Sequence, residues 1–201
     1  MCIKSILLYM ATVTIVLFNI QFNAYGESLE VSMEKLEVSK KTYETLHAKD
    51  NGTIIGKDLN ITGNKDINSN PIVITPVVKV EGANSVIELI GSTIKGESSD
   101  ITVDLEAKDS GTLKISNGTI TVSKIGASFS NSDKNTLENV KISSNAGNAP
   151  MDKGISANKS NITLNNVTIT QAKNSIFADD QSQITILGGS FDGETDGIYA
   201  T

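Results

Sequence analysis

Two short apolar motifs recur in step along this chain, and few folds accommodate that. Ala48 to Ile54 reads AKDNGTI and Ala107 to Leu113 reads AKDSGTL, with looser copies at 157–162 (ANKSNI) and 178–184 (ADDQSQI). Each is followed by a short alternating strand, a polar or Gly/Asn break and a second short strand: IIGKDLNI (54–61), LKISNGTI (113–120), ITLNNVTI (162–169) and ITILGGSF (184–191). IELIGSTI (87–94) and a shortened TLENVKI (136–142) belong to the same set. Their last apolar residues, Ile61, Ile94, Ile120, Ile142, Ile169 and Phe191, are 33, 26, 22, 27 and 22 residues apart. A second ladder keeps pace: VVKVEGA (77–83), TVDLEA (102–107), GASFS (126–130), GISA (154–157), SIFA (175–178) and GIYA (197–200).

A unit of this size cannot bury its apolar face alone; stacking the units does. The expected fold is therefore all-β, a right-handed parallel β-helix of about six coils. Strands of successive coils lie about 4.8 Å apart and pair in parallel. Inward positions are Ile, Leu and Val, and outward positions alternate to Thr, Ser, Asn and Lys. Asn117-Gly118, Asn165-Asn166 and Gly188-Gly189 supply left-handed backbone at the corners. The uneven spacings place loops of different length at one coil edge. A β-sandwich also has short strands and turns, but it gives no reason for AKD[NS]GT to return after 59 residues (48 to 107). A leucine-rich repeat needs denser Leu and helical returns.

Residues 27–47 are charged and lack Gly and Pro, with Leu29, Met33 and Leu36 at helical spacing. They are expected as an N-terminal cap, a short helix or a capping strand, because an open solenoid end exposes strand edges. The β-helix proper then runs over 48–201, incomplete at its C-terminal end, with 63–76 and 143–153 as protruding loops. Lys4, the apolar run from Ile6 to Phe18 and the exit Ala24-Tyr25-Gly26 read as a signal peptide over 1–26, the run being too short for a membrane span. The one cysteine, Cys2, lies inside that signal, which suits a bacterial exported protein.

The net charge is −6, and all 17 basic residues are Lys. With no Arg and no basic stripe, nucleic acid is excluded as a partner. A single His and no mature Cys exclude a zinc or thiolate site and cysteine catalysis. Asp179, Asp180, Asp192, Glu194 and Asp196 gather enough carboxylates to suggest a catalytic acid pair, so a polysaccharide-cleaving β-helix enzyme is the alternative. The absence of Arg, of Trp and of a second His favours a solvated acidic corner instead. DGETDG (192–197) departs from the calcium loop at Glu194. The sequons at Asn51, Asn60, Asn117, Asn161 and Asn166 are read as repeat corners where Asn turns the chain and Thr points outward. His47 is read as an ordinary residue of the cap. No catalytic, cofactor-binding or metal site is assigned, and no cofactor is expected.

Repeat texture such as SGTLKISNGTITV (110–122) and SNITLNNVTIT (160–170) resembles the passenger region of autotransporter (type V secreted) proteins, pertactin-like in architecture, over residues 27–201. That resemblance implies a non-enzymatic virulence factor of adhesin or host-effector type, secreted or held at the bacterial outer surface. Its partners would be a host-cell surface protein or extracellular matrix, and it would be a monomer. The family also implies a C-terminal outer-membrane barrel, which is expected either to be lost or to be encoded beyond Thr201. A third reading is a structural surface-layer or fibre component. On any of these readings Ile115, Ile162 and Ile184 point inward.

Overall fold

The computed structural model describes residues 22–23, 26–63, 76–96, 103–145 and 149–201. Every regular element among them is a β-strand. The strands wind as a parallel β-helix with three faces. The first face stacks Gly26–Ser32, Thr45–Lys49, Val78–Glu81, Val103–Lys108, Ile125–Ser130 and Met151–Asn158. The second stacks Lys35–Ser39, Thr53–Lys57, Val86–Ile90, Thr112–Ser116, Asn135–Glu138, Asn161–Asn165 and Gln183–Ile186. The third stacks Thr42–Tyr43, Asn60–Gly63, Thr93–Gly96, Thr119–Val122 and Lys141–Ser144. In the last two coils the third and first faces run on as single bent strands, Val167–Asp179 and Gly189–Ala200.

The register follows the apolar ladder read from the sequence. Tyr43 pairs with Ile61, then Ile94, Ile120, Ile142, Ile169 and Phe191 follow rung by rung on the third face. On the first face Ala48, Val80, Ala107, Phe129, Ala157, Ala178 and Ala200 do the same. The two AKD[NS]GT copies therefore stand two coils apart. Alternation of inward apolar and outward polar residues is what makes each strand half-buried, and Leu46, Ile61, Ile94, Ile120 and Leu137 have no exposure at all.

The second face holds seven strands, so the described chain makes seven coils. Six are those of the ladder; the seventh is the first, built from the segment expected as a cap. That segment takes the strand form: Leu29 and Val31 pair with Leu46 and Ala48, and Leu36 with Ile54. Phe22–Asn23 runs antiparallel beside its first strand. The helical spacing of Leu29, Met33 and Leu36 misleads because Met33 is a corner residue with φ 58°, 77% exposed. Residues 1–21, most of the expected signal peptide, lie outside the described residues.

Length variation falls at one corner. Second-to-third corners are short throughout (40–41, 58–59, 91–92, 117–118, 139–140), whereas third-to-first connections range from the single residue 44 to 64–77. Most of the loop expected at 63–76 (64–75) and the centre of that at 143–153 (146–148) lie outside the described residues. Met151 to Lys153 are not loop: they begin a first-face strand, and Met151 is fully buried. Burial of the Met151 side chain draws the backbone into the stack, so the loop ends earlier than the polar sequence indicates.

The recurrent D-[NS]-G is a first-to-second corner. Asp50 and Asn51 (φ 48° and 65°) and Asp109 and Ser110 (φ 51° and 70°) are left-handed. The following glycine closes the turn, Gly52 N–H donating to Lys49 O at 2.7 Å and Gly111 N–H to Lys108 O at 2.9 Å. A Cβ on Gly52 would collide with Val31 O of the coil below. Gly52→Ala is thus expected to lower stability by about 1–3 kcal/mol or more, since backbone must give way. Urea denaturation measures it, and an unchanged midpoint would mean the first two coils do not pack this closely.

Buried polar groups complete the corners. Ser85, Ser132 and Ser160 are buried, and Ser85, Ser160 and Ser182 accept backbone N–H bonds across coils. Asn51 donates to Ser85 Oγ (3.2 Å), Ser132 to Ser160 Oγ (3.2 Å) and Ser160 to Ser182 Oγ (3.3 Å). Such hydroxyls satisfy groups that no strand partner reaches. Asn135 occupies an inward place between Leu113 and Ile162, 1% exposed. It accepts from Leu113 N–H (2.9 Å) and donates to Ser132 Oγ (2.7 Å) and Asn161 O (3.3 Å), so its burial is matched by bonds.

Candidate binding surface

Because the core fills the coil interior, the described strands offer a partner their outward columns. On the second face these read Glu37, Ile55, Glu88, Lys114, Thr136, Thr163 and Thr185 in strict register. On the third they read Thr42, Asn60, Thr93, Thr119, Lys141, Thr168 and Ser190. Both faces present hydroxyl and lysine groups on a rigid backbone. At the corner between them Asn117, Asn139 and Asn166 (φ 54°, 50° and 53°) form an amide ladder, Asn139 donating to Asn117 Oδ1 (3.2 Å) and Asn166 to Asn139 Oδ1 (2.8 Å).

Two of the shallow depressions that follow from this relief lie on the outward columns of the second and third faces. One, of about 380 Å³, crosses coils four to seven on the second face and is lined by Lys114, Lys134, Thr136, Asn161, Thr163 and Gln183 among others. The other, of about 440 Å³, follows the asparagine corner between Gly118, Lys141 and Thr168. Neither is an enclosed cleft.

Over its first four coils the first face is tied by ion pairs. His47 Nδ1 lies 3.1 Å from Glu30 Oε2 and Nε2 lies 2.9 Å from Glu81 Oε1, tying three coils together. A protonated ring donates to both carboxylates; a neutral one can donate to only one. Lys49 pairs with Glu30 (2.8 Å), and Lys79 and Lys108 pair with Glu81 (2.9 and 3.3 Å). Partial burial raises the Glu81 carboxyl, but hydrogen bonds from Lys79 and Lys108, the charge of Lys79 and the His47 bond outweigh it and bring it to about 2. His47 therefore has a cross-coil structural part that its position in the sequence did not reveal.

The acidic residues at the other end are dispersed. Asp180 is a corner residue paired with Lys159 (2.9 Å), and Asp179 accepts from Thr201 Oγ1 (2.8 Å). Asp192, Glu194 and Asp196 lie on the extended strand Gly189–Ala200, so DGETDG does not form a loop around a cation. Among the described residues no three His, Cys, Asp or Glu side chains converge as a metal-binding group. Of the sequon asparagines, Asn51, Asn117 and Asn166 turn corners as expected. Asn60 and Asn161 instead begin strands and are exposed, because the corner before each is made by Asp58 and Lys159.

Fold and surface together define a parallel β-helix whose outer faces are regular and whose depressions are open. Comparison of the chain with protein-family models, curated proteins and solved structures finds no match.

Proposed function

We propose that this chain is an exported bacterial surface or released passenger protein that acts by binding host-cell or extracellular partners, without catalysis. The observation that carries the reading is the outward register of the second and third faces. Polar side chains repeat at nearly every rung over seven coils, giving an extended, preorganised contact surface. The signal peptide read at 1–26 and the likeness of SGTLKISNGTITV and SNITLNNVTIT to autotransporter passengers support the same conclusion. The purified full chain is expected to bind cultured host cells or matrix-coated surfaces saturably and to release no new reducing ends from polysaccharides. Non-saturable binding to both surfaces overturns the binding role; new reducing ends restore the enzyme alternative.

A further inference from the structure

We infer that the depression across coils four to seven of the second face binds an extended acidic polysaccharide, through Lys114 and Lys134 together with the hydroxyls of Thr136, Thr163 and Thr185. The inference rests on the reading of the chain as an exported binding protein and names the partner's chemistry.

Charge distribution is the first ground. The protein carries a net charge of −6, and many of its lysines are already held by carboxylates. Lys35, Lys49, Lys79, Lys108, Lys159 and Lys173 each lie within 3.3 Å of a carboxylate oxygen. Lys114 and Lys134 line one depression, and among the described residues neither makes an ion pair. No Asp or Glu lines it; Glu88 and Glu138 line a smaller depression of about 210 Å³ that adjoins it and shares Lys114 and Thr136. Two cations lining one depression of an anionic protein, without an ion pair among the described residues, mark where an anionic partner meets attraction rather than repulsion.

Shape and chemistry narrow the partner. Thr136, Thr163 and Thr185 stand in one column on successive coils, one rung of about 4.8 Å apart. A linear sugar chain laid along the helix axis meets the same hydroxyl at each rung. Threonine hydroxyls and the amides of Asn161 and Gln183 both donate and accept, as sugar hydroxyls require. The lysines add charge without the planar fork that arginine would offer, so they suit carboxylate or sulfate groups carried at variable angles. The depression is open and spans four coils, so its contacts act together only on a polymer.

The test uses the full chain with polygalacturonate and dextran sulfate as probes and neutral dextran as control, read by calorimetry at low and high salt. Binding to at least one acidic polymer that weakens with salt, and none to dextran, is expected. The double variant Lys114→Gln/Lys134→Gln should weaken it roughly tenfold or more. Lys159→Gln/Lys173→Gln, the same charge change on residues already paired, should leave it nearly unchanged. Thr163→Glu, which places an acid in the depression, is a second route to the same loss. Retained melting temperatures show that each variant folds. No binding to either acidic polymer, equal binding of dextran, or equal loss from both double variants overturns the inference. Full-chain binding to host cells alongside failure with both polymers would reject this site and leave the proposed function standing; failure of both assays would reject both.

Discussion

Asp104→Asn is expected to raise the stability of this protein above neutral pH and to change it little near pH 4. Asp104 has no exposure, and its Oδ1 has no partner among the described residues. Burial pushes its carboxyl from 3.8 up to about 7, opposed by one N–H from Ser123 at 3.3 Å. The folded protein therefore keeps the Asp104 proton over a range in which the unfolded chain has lost it. Between the two values the native state binds more protons, so stability falls as pH rises and levels off above about 7. The cost of holding the charged form inside is on the order of 4 kcal/mol. A neutral amide of the same shape avoids it. Glu81 acts in the opposite sense: its carboxyl, held at about 2, contributes stability above about 4.5 that is lost as pH falls towards 2. Wild-type stability should therefore peak at mildly acidic pH, and Asp104→Asn should flatten the alkaline side of that profile. Urea unfolding at about pH 5 and about pH 8 measures this. Equal wild-type stability at both values, with the variant weaker at both, would show that the carboxylate is compensated as a charge.

Truncating an inward isoleucine should cost most in the middle of the stack. Ile115 and Ile162 are 1% and 2% exposed, each with a rung above and below. Replacement by Ala is expected to cost about 2–5 kcal/mol at each, from lost burial and the cavity left behind. Ile184 also faces inward but is only partly buried, because no described coil covers it from above. Ile184→Ala should therefore cost less than half as much. Denaturant midpoints of the three variants give the ranking. Equal losses would mean the last coil is covered in solution, and a wild-type midpoint for Ile115→Ala would contradict its inward placement.

Much of the fold was legible because its rules are local. Period-2 alternation announces which residues of LKISNGTI or ITLNNVTI face inward. Recurrence of Ile at the same place then sets the register of a whole face. Corners were legible at Asn117 and Asn166, whose side chains tolerate left-handed backbone, and less so at Lys40, Lys134 and Lys159, which adopt it without an obvious signal. The candidate surface was legible only as outward threonine and lysine. Which lysines stay unmatched depends on partners such as Glu30 for Lys49 or Asp152 for Lys173, each a coil away in space.

By itself the sequence determined the β-helix class, the two ladders, the inward side of each strand and the D-[NS]-G corners, since these follow from side-chain alternation and backbone sterics within a few residues. Tertiary structure alone decided that residues 28–43 form a coil, that Asn135 sits as a satisfied polar rung among Leu113 and Ile162, and that Asp104 is buried against Gly96, where a Cβ would collide with its carboxylate. It also decided that Lys114 and Lys134 line one depression without an ion pair among the described residues. Each of these depends on what the next coil presents across a rung spacing of about 4.8 Å, and the chain separating the two partners varies in length, so local pattern does not specify them.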